Sequence, residues 1–256
     1  MARKIPWIGT SWKMNKLRAD AVSYAETLKA SPFANTTAAQ PFIIPPFPYI
    51  EEVASLLKGT RVKVGAQNMH WDDKGAWTGE VSPLMVKDCG ASLVELGHSE
   101  RRTFFNETDE AVGLKVKACL AHGLTALVCI GDTRVEYETG ATADVLAKQT
   151  RYALRHVGKQ ALGNVVIAYE PVWSIGEGGI PADPDFAEDQ HRRLKALTRD
   201  IVGEALPILY GGSVNPQNCV ALAGRANIDG LFIGRSAWEP NGYLGIIESV
   251  TRSLEA

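Results

Sequence analysis

The 256-residue sequence has no surplus of positive charge: 27 Lys and Arg stand against 29 Asp and Glu, a net charge of −2. That excludes a chain that holds a nucleic-acid backbone or an anionic membrane through bulk charge. An anionic ligand must instead be met by a few local cations or by backbone N–H groups. Cysteine is scarce as well. Cys89, Cys119, Cys129 and Cys219 form no CxxC pair and have no His at metal-ligand spacing, so neither a metal nor a disulfide framework is expected. Each lies among apolar neighbours, which predicts buried free thiols in a reducing compartment. No run approaches ~18 apolar residues, and MARKIPWIGTSWKMNK has no apolar signal-type core, so a cytoplasmic chain without a membrane segment is expected. Linkers and low-complexity segments are missing too, and the composition is that of a globular protein. A single domain over residues 1–256 is the expectation.

What is present is a recurring β-rich run: Trp7–Trp12, Pro41–Pro45, Arg61–Ala66, Ser92–Gly97, Leu124–Gly131, Val165–Tyr169, Pro207–Gly211 and Gly230–Gly234. Most are continuously apolar rather than alternating, as for parallel strands buried on both faces. Helical stripes lie between them: Ile50, Val53, Ala54 and Leu57; Val112, Val116, Cys119 and Leu120, stopped by Gly123; and Leu194, Leu197 and Ile201. Eightfold strand–helix alternation predicts an α/β fold of the (β/α)8 barrel type, the TIM barrel. The competing doubly wound sheet usually carries glycines after its first strand, and SWKMNK has none.

In such a barrel the chemistry lies at the C-terminal ends of the strands. Those ends carry Ser11-Trp12-Lys13, Gly97-His98-Ser99-Glu100, Glu170-Pro171, Gly211-Gly212-Ser213 and Gly234-Arg235-Ser236. The two glycine-rich turns after the last two strands suit a phosphate held by backbone N–H groups, with Ser213 adding a hydroxyl; alone, GGS reads equally well as a tight turn. Glu170, at a strand end before a proline, suits a general base, the bland alternative being a surface carboxylate. His98 resembles the start of a helix with Ser99 as the capping hydroxyl, which keeps the imidazole neutral. The other histidines, His70, His122, His156 and His191, are expected at helix ends or on solvated faces. Lys13 is either an ordinary surface lysine or a fixed charge in the mouth. The segment Gly176-Glu177-Gly178-Gly179-Ile180-Pro181 reads as a lid tip, stiffened by Pro171 and Pro181. Together these parts suit proton abstraction beside the carbonyl of a sugar phosphate, without a cofactor.

GHSERR (Gly97–Arg102), AYEPVW (Ala168–Trp173) and YGGSVNP (Tyr210–Pro216) resemble the signatures of the triosephosphate isomerase family, along nearly the whole chain. The resemblance implies Lys13 as electrostatic anchor, His98 as electrophile and Glu170 as base. It implies a substrate site that includes Ser11, Lys13, Gly176, Ser213, Gly234 and Arg235. GAQN (Gly65–Asn68) with GAWTGE (Gly75–Glu80) resembles the loop by which subunits reach into each other, implying a homo-oligomer, a dimer or tetramer, with Thr78 entering the neighbour's site. Three departures stand out. Ser11 replaces the family's asparagine, Arg235 replaces a glycine and either adds a cation near the phosphate or points away, and Pro181 falls where a lid N–H is expected but has none. TSWKMN, GAQNMHW and GLFIGRSAW resemble the branch that converts L-erythrulose 1-phosphate into D-erythrulose 4-phosphate. The partner expected is thus a small phosphorylated ketose. The rival is dihydroxyacetone phosphate isomerisation, and a non-catalytic sugar-phosphate binder is a distant third.

Overall fold

The computed structural model describes residues 5–176 and 178–255. The ends of the expected domain, Met1–Lys4 and Ala256, and Glu177 of the expected lid tip lie outside the described residues. Eight parallel strands close into a barrel in chain order: β1 Trp7–Ser11, β2 Gln40–Ile44, β3 Lys63–Ala66, β4 Leu93–Leu96, β5 Thr125–Ile130, β6 Val165–Tyr169, β7 Ile208–Tyr210 and β8 Gly230–Ile233. Closure shows in the register of β1, where Trp7 pairs with Gln40 on one side and with Gly230 on the other. The strands differ from the sequence reading only at their ends, by one or two residues.

The continuous apolar runs now have a cause. One side of the strands fills the barrel with Phe42, Ile44, Leu93, Leu127, Cys129, Val166, Ala168, Leu209 and Phe232. The other packs against the helices through residues such as Ile43, Val94, Val128, Ile167 and Leu231. The three predicted stripes fall on helices Ile50–Leu56, with Leu57 as its C-cap, Asp109–Ala121 and Pro184–Val202. Gly123, at φ +71°, follows the second of them. Thr108 and Asp183 cap the latter two by accepting backbone N–H bonds.

All four cysteines are free, and Cys119, Cys129 and Cys219 are buried, but Cys89 is only half-buried. Two histidines contradict the expectation of helix ends or solvated faces. His191 is fully buried inside helix Pro184–Val202, its Nδ1 2.7 Å from the Ala187 carbonyl, and burial lowers its pKa to about 4. His70 is buried in the loop after β3, stacked on Trp71. An imidazole loses its preference for water once it is neutral and one nitrogen is satisfied. Among the described residues no helix is long and apolar enough to cross a membrane.

Candidate active site

The strand ends bring His98, Glu170 and Lys13 to one cavity of about 500 Å³, lined also by Ser11, Gly176, Ser213, Gly234 and Arg235. Every site residue singled out in the sequence therefore borders the same space. Glu170 owes its position to the backbone: its N–H donates to the Ile130 carbonyl at 2.7 Å, next to Gly131. A Cβ on Gly131 would lie 1.9 Å from the Glu170 carbonyl oxygen, so only glycine permits this approach. Gly97, at φ +75°, turns the chain from β4 into His98.

The short helix Ser99–Phe104 starts as predicted, but the cap differs. The His98 side chain, not the Ser99 hydroxyl, does the capping: Nδ1 accepts the Glu100 N–H at 3.2 Å. This leaves Ser99 to offer its backbone N–H to Glu170 Oε2 at 3.1 Å. It also sets the tautomer. With Nδ1 accepting, a neutral ring carries its hydrogen on Nε2, which lies 3.2 Å from Glu170 Oε1 and 3.9 Å from Glu95 Oε1. Burial, then the charges of Lys13 and Arg101, lower the His98 pKa to about 3, so the ring is neutral at physiological pH.

Glu170 is 1% exposed, and burial raises its pKa to about 7 against the opposing pull of Lys13 and the Ser99 N–H. Glu95, 2% exposed, is pushed up to about 8 by burial and by Glu170. Glu95, His98 and Glu170 offer ligand atoms within 4.8 Å of one another. The His98 tautomer points a proton rather than a lone pair at the two carboxyl groups, so the trio is arranged for hydrogen bonding and not for a metal.

Lys13 stands at the cavity mouth. Its Nζ lies 2.6 Å from Glu100 Oε1 and it lines the cavity. Its backbone sits at φ +52°, held by Gln67, whose side-chain amide donates to the Lys13 carbonyl at 2.9 Å. Arg235 is exposed at the mouth, and its side chain has no hydrogen-bond or ion-pair partner among the described residues.

Sequence reasoning missed four contributors. Glu95 was legible as a carboxylate inside the apolar strand run SLVELG, a costly position that calls for a reason. Gln67 and Ser174 gave no such signal. Ser174 is fully buried at the base of the loop after β6; its hydroxyl accepts the Ser213 N–H at 3.0 Å and lies 3.4 Å from the Tyr210 hydroxyl. Asp132 anchors the same base, accepting from Tyr169, Thr142 and, at 3.4 Å, the Trp173 indole.

Comparison with known proteins follows the same lines. The family model for triosephosphate isomerase matches residues 6–250. An L-erythrulose-1-phosphate isomerase of Rhizobium rhizogenes (strain K84 / ATCC BAA-868) is 53% identical over 249 residues, covering 97% of this chain and 95% of that protein. The protein of that name from Brucella abortus biovar 1 (strain 9-941) is 53% identical over 251 residues, 98% of each chain. That of Rhizobium meliloti (strain 1021) is 51% identical over 255 residues, 99% of this chain and all of its own. With a closed eightfold barrel, the strand-end residues gathered in one cavity and a family match over nearly its full length, the chain belongs to the triosephosphate isomerase family.

Proposed function

We propose that this chain, as one barrel domain, isomerises L-erythrulose 1-phosphate to D-erythrulose 4-phosphate through an enediolate; its relatives at 51–53% identity are named L-erythrulose-1-phosphate isomerases. The observation that carries the reading is the buried pair of Glu170 and the Nε2 face of His98, 3.2 Å apart beside the cavity.

The Glu170 carboxylate takes the proton from C3. The C3–H electron pair forms the C2–C3 double bond, and the carbonyl electrons move to O2. The charge growing on O2 is met by the His98 Nε2 hydrogen and by Lys13 Nζ. A neutral imidazole is suited to this because it donates without adding a competing charge, and a water-poor site strengthens each contact. Glu170 then returns its proton to C2 while the O3 proton passes to O2, leaving the carbonyl at C3. Counted from the other end, that product is D-erythrulose 4-phosphate. Atoms and electrons balance with side chains alone, so no cofactor enters these steps.

The Ser213 hydroxyl and the backbone N–H groups of Gly234 and Gly176, with Arg235 at the rim, form the phosphate end in this reading. Ser11 leaves room where a longer amide would stand. The chain acts in the cytoplasm as a homo-oligomer, most simply a dimer. Support for the assembly comes from exposed apolar side chains, Met14, Trp77, Phe104 and Phe105, and from Thr78 on an exposed loop.

The test compares kcat/KM for L-erythrulose 1-phosphate and dihydroxyacetone phosphate on one preparation. A strong preference for the tetrulose phosphate is expected. A preference for the triose phosphate overturns the substrate and leaves a triose isomerase with the same steps. Binding of both without turnover overturns the enzyme reading.

A further inference from the structure

Beside the main cavity lies a second one of about 210 Å³, and the two share Ser11, Lys13, His98 and Glu100. Gly176, Ser213 and Gly234, the proposed phosphate end, line only the first, whereas Glu95 lines only the second. The line from phosphate end to His98 and Glu170 thus continues past Ser11 to Glu95. Here the Ser11 hydroxyl donates to Glu95 Oε2 at 2.8 Å, and the other oxygen lies 3.9 Å from His98 Nε2, beyond a good hydrogen bond. A buried carboxyl group with one oxygen satisfied by a short side chain and the other facing a cavity is arranged to receive a polar ligand group.

We propose that Glu95, steadied by Ser11, is the specificity-determining residue for the terminal hydroxymethyl group of a four-carbon ketose phosphate. The inference rests on the reaction proposed above and names the end of the site that reads its substrate. A three-carbon phosphate anchored at the same end stops one carbon short of Glu95. The outer rim of the second cavity, Met14, Phe47 and Phe105, is apolar and is the part the proposed second subunit covers, while the floor of Ser11 and Glu95 stays with this chain. Burial keeps Glu95 protonated up to about pH 8, so at neutral pH it can both donate to and accept from a hydroxyl.

The test uses two unreactive ligands that differ by one CHOH unit, glycerol 3-phosphate and D-erythritol 4-phosphate, with dissociation constants measured by titration calorimetry near neutral pH. The wild type is expected to bind the four-carbon ligand roughly tenfold or more tightly, the range of one good buried hydrogen bond. Glu95→Met is expected to abolish that preference while the glycerol 3-phosphate value stays about the same. Glu95→Gln, which keeps a donor and an acceptor, retains most of it, a rescue that a merely structural role does not give. Equal weakening of both ligands in Glu95→Met, an unchanged preference in that variant, or no preference in the wild type overturns the proposal. Should Glu95→Met not fold, Glu95→Asp, which withdraws the carboxyl by one methylene, takes its place with the same outcomes. Neither ligand is turned over, so a wild type that fails to isomerise the tetrulose phosphate removes the proposed reaction and leaves this comparison standing.

Discussion

On the β4 and β6 side of the cavity the working groups are sealed into the barrel. Glu95, His98 and Glu170 are nearly inaccessible, and burial is the first cause of all three pKa shifts. On the β7 and β8 side the corresponding groups are backbone amides in a half-open turn, with Arg235 and Gly176 exposed at the rim. The first side acts by withholding water from ionisable groups, which changes what they are at neutral pH. The second acts by shape, presenting amides whose properties burial hardly alters. In the proposed reaction, chemistry thus falls on the buried side and anion binding on the open one.

The sharpest way to break this division is Glu170→Gln. Turnover is expected to fall on the order of 10³-fold or more, while phosphoglycolohydroxamate still binds measurably. Near-normal turnover removes the base assignment, and loss of binding in step with turnover means the two sides are not separable. Next in size is Ser11→Asn, expected to shift preference toward the three-carbon substrate by roughly one to two decades, the range of ~1–3 kcal/mol. An unaffected tetrulose phosphate rate shows that Ser11 is not what makes room.

On the open side the effects are smaller. Arg235→Ala should weaken phosphate-bearing ligands by about two- to fivefold, in line with an exposed ion pair of ~0.2–1 kcal/mol, and should flatten the salt dependence of binding. A change in kcat without a change in affinity would place Arg235 in the chemistry instead. The last test is the pH response of stability. Glu95 and Glu170 have folded-state pKa values of about 8 and about 7 against an ordinary 4.5, so the folded chain holds protons the unfolded chain has released. Their contribution is full below 4.5 and is lost as pH rises through 7 and 8. His98 and His191 are lowered from 6.5 and act in the opposite sense at lower pH, so the carboxyl contribution stands clear of them between 6.5 and 8. Stability should fall over that window while kcat/KM rises with Glu170 deprotonation. The urea midpoint of Glu95→Gln/Glu170→Gln should fall less than that of the wild type. An equal fall means that burial of these two carboxyl groups is not the cause.

Much of this division could be read in the chain. Continuous apolar runs such as VVIAY and LTALVCIG announced strands covered on both faces, and strand-end positions pointed to His98, Glu170 and Ser213 before any geometry was known. The cap at the start of helix Ser99–Phe104 was not readable, because serine and histidine both accept hydrogen bonds and only the ring's orientation decides which does. Ser174 and Gln67 look like ordinary polar residues until folding sets them against Ser213 and Lys13, 39 and 54 residues away in sequence. His191 lies three residues before Leu194, on the buried face of helix Pro184–Val202, but a polar ring extends no apolar stripe and so gives no burial signal by itself.

By itself the sequence determined the alternation, the barrel and the kinds of groups at its mouth, since hydrophobic period and strand-end placement are local properties. Only the tertiary structure decided how those groups ionise and what they touch. Desolvation and hydrogen bonding depend on neighbours brought from distant parts of the chain, and so the neutral tautomer of His98, the raised pKa of Glu170 and the pairing of Ser11 with Glu95 exist only once the barrel has closed.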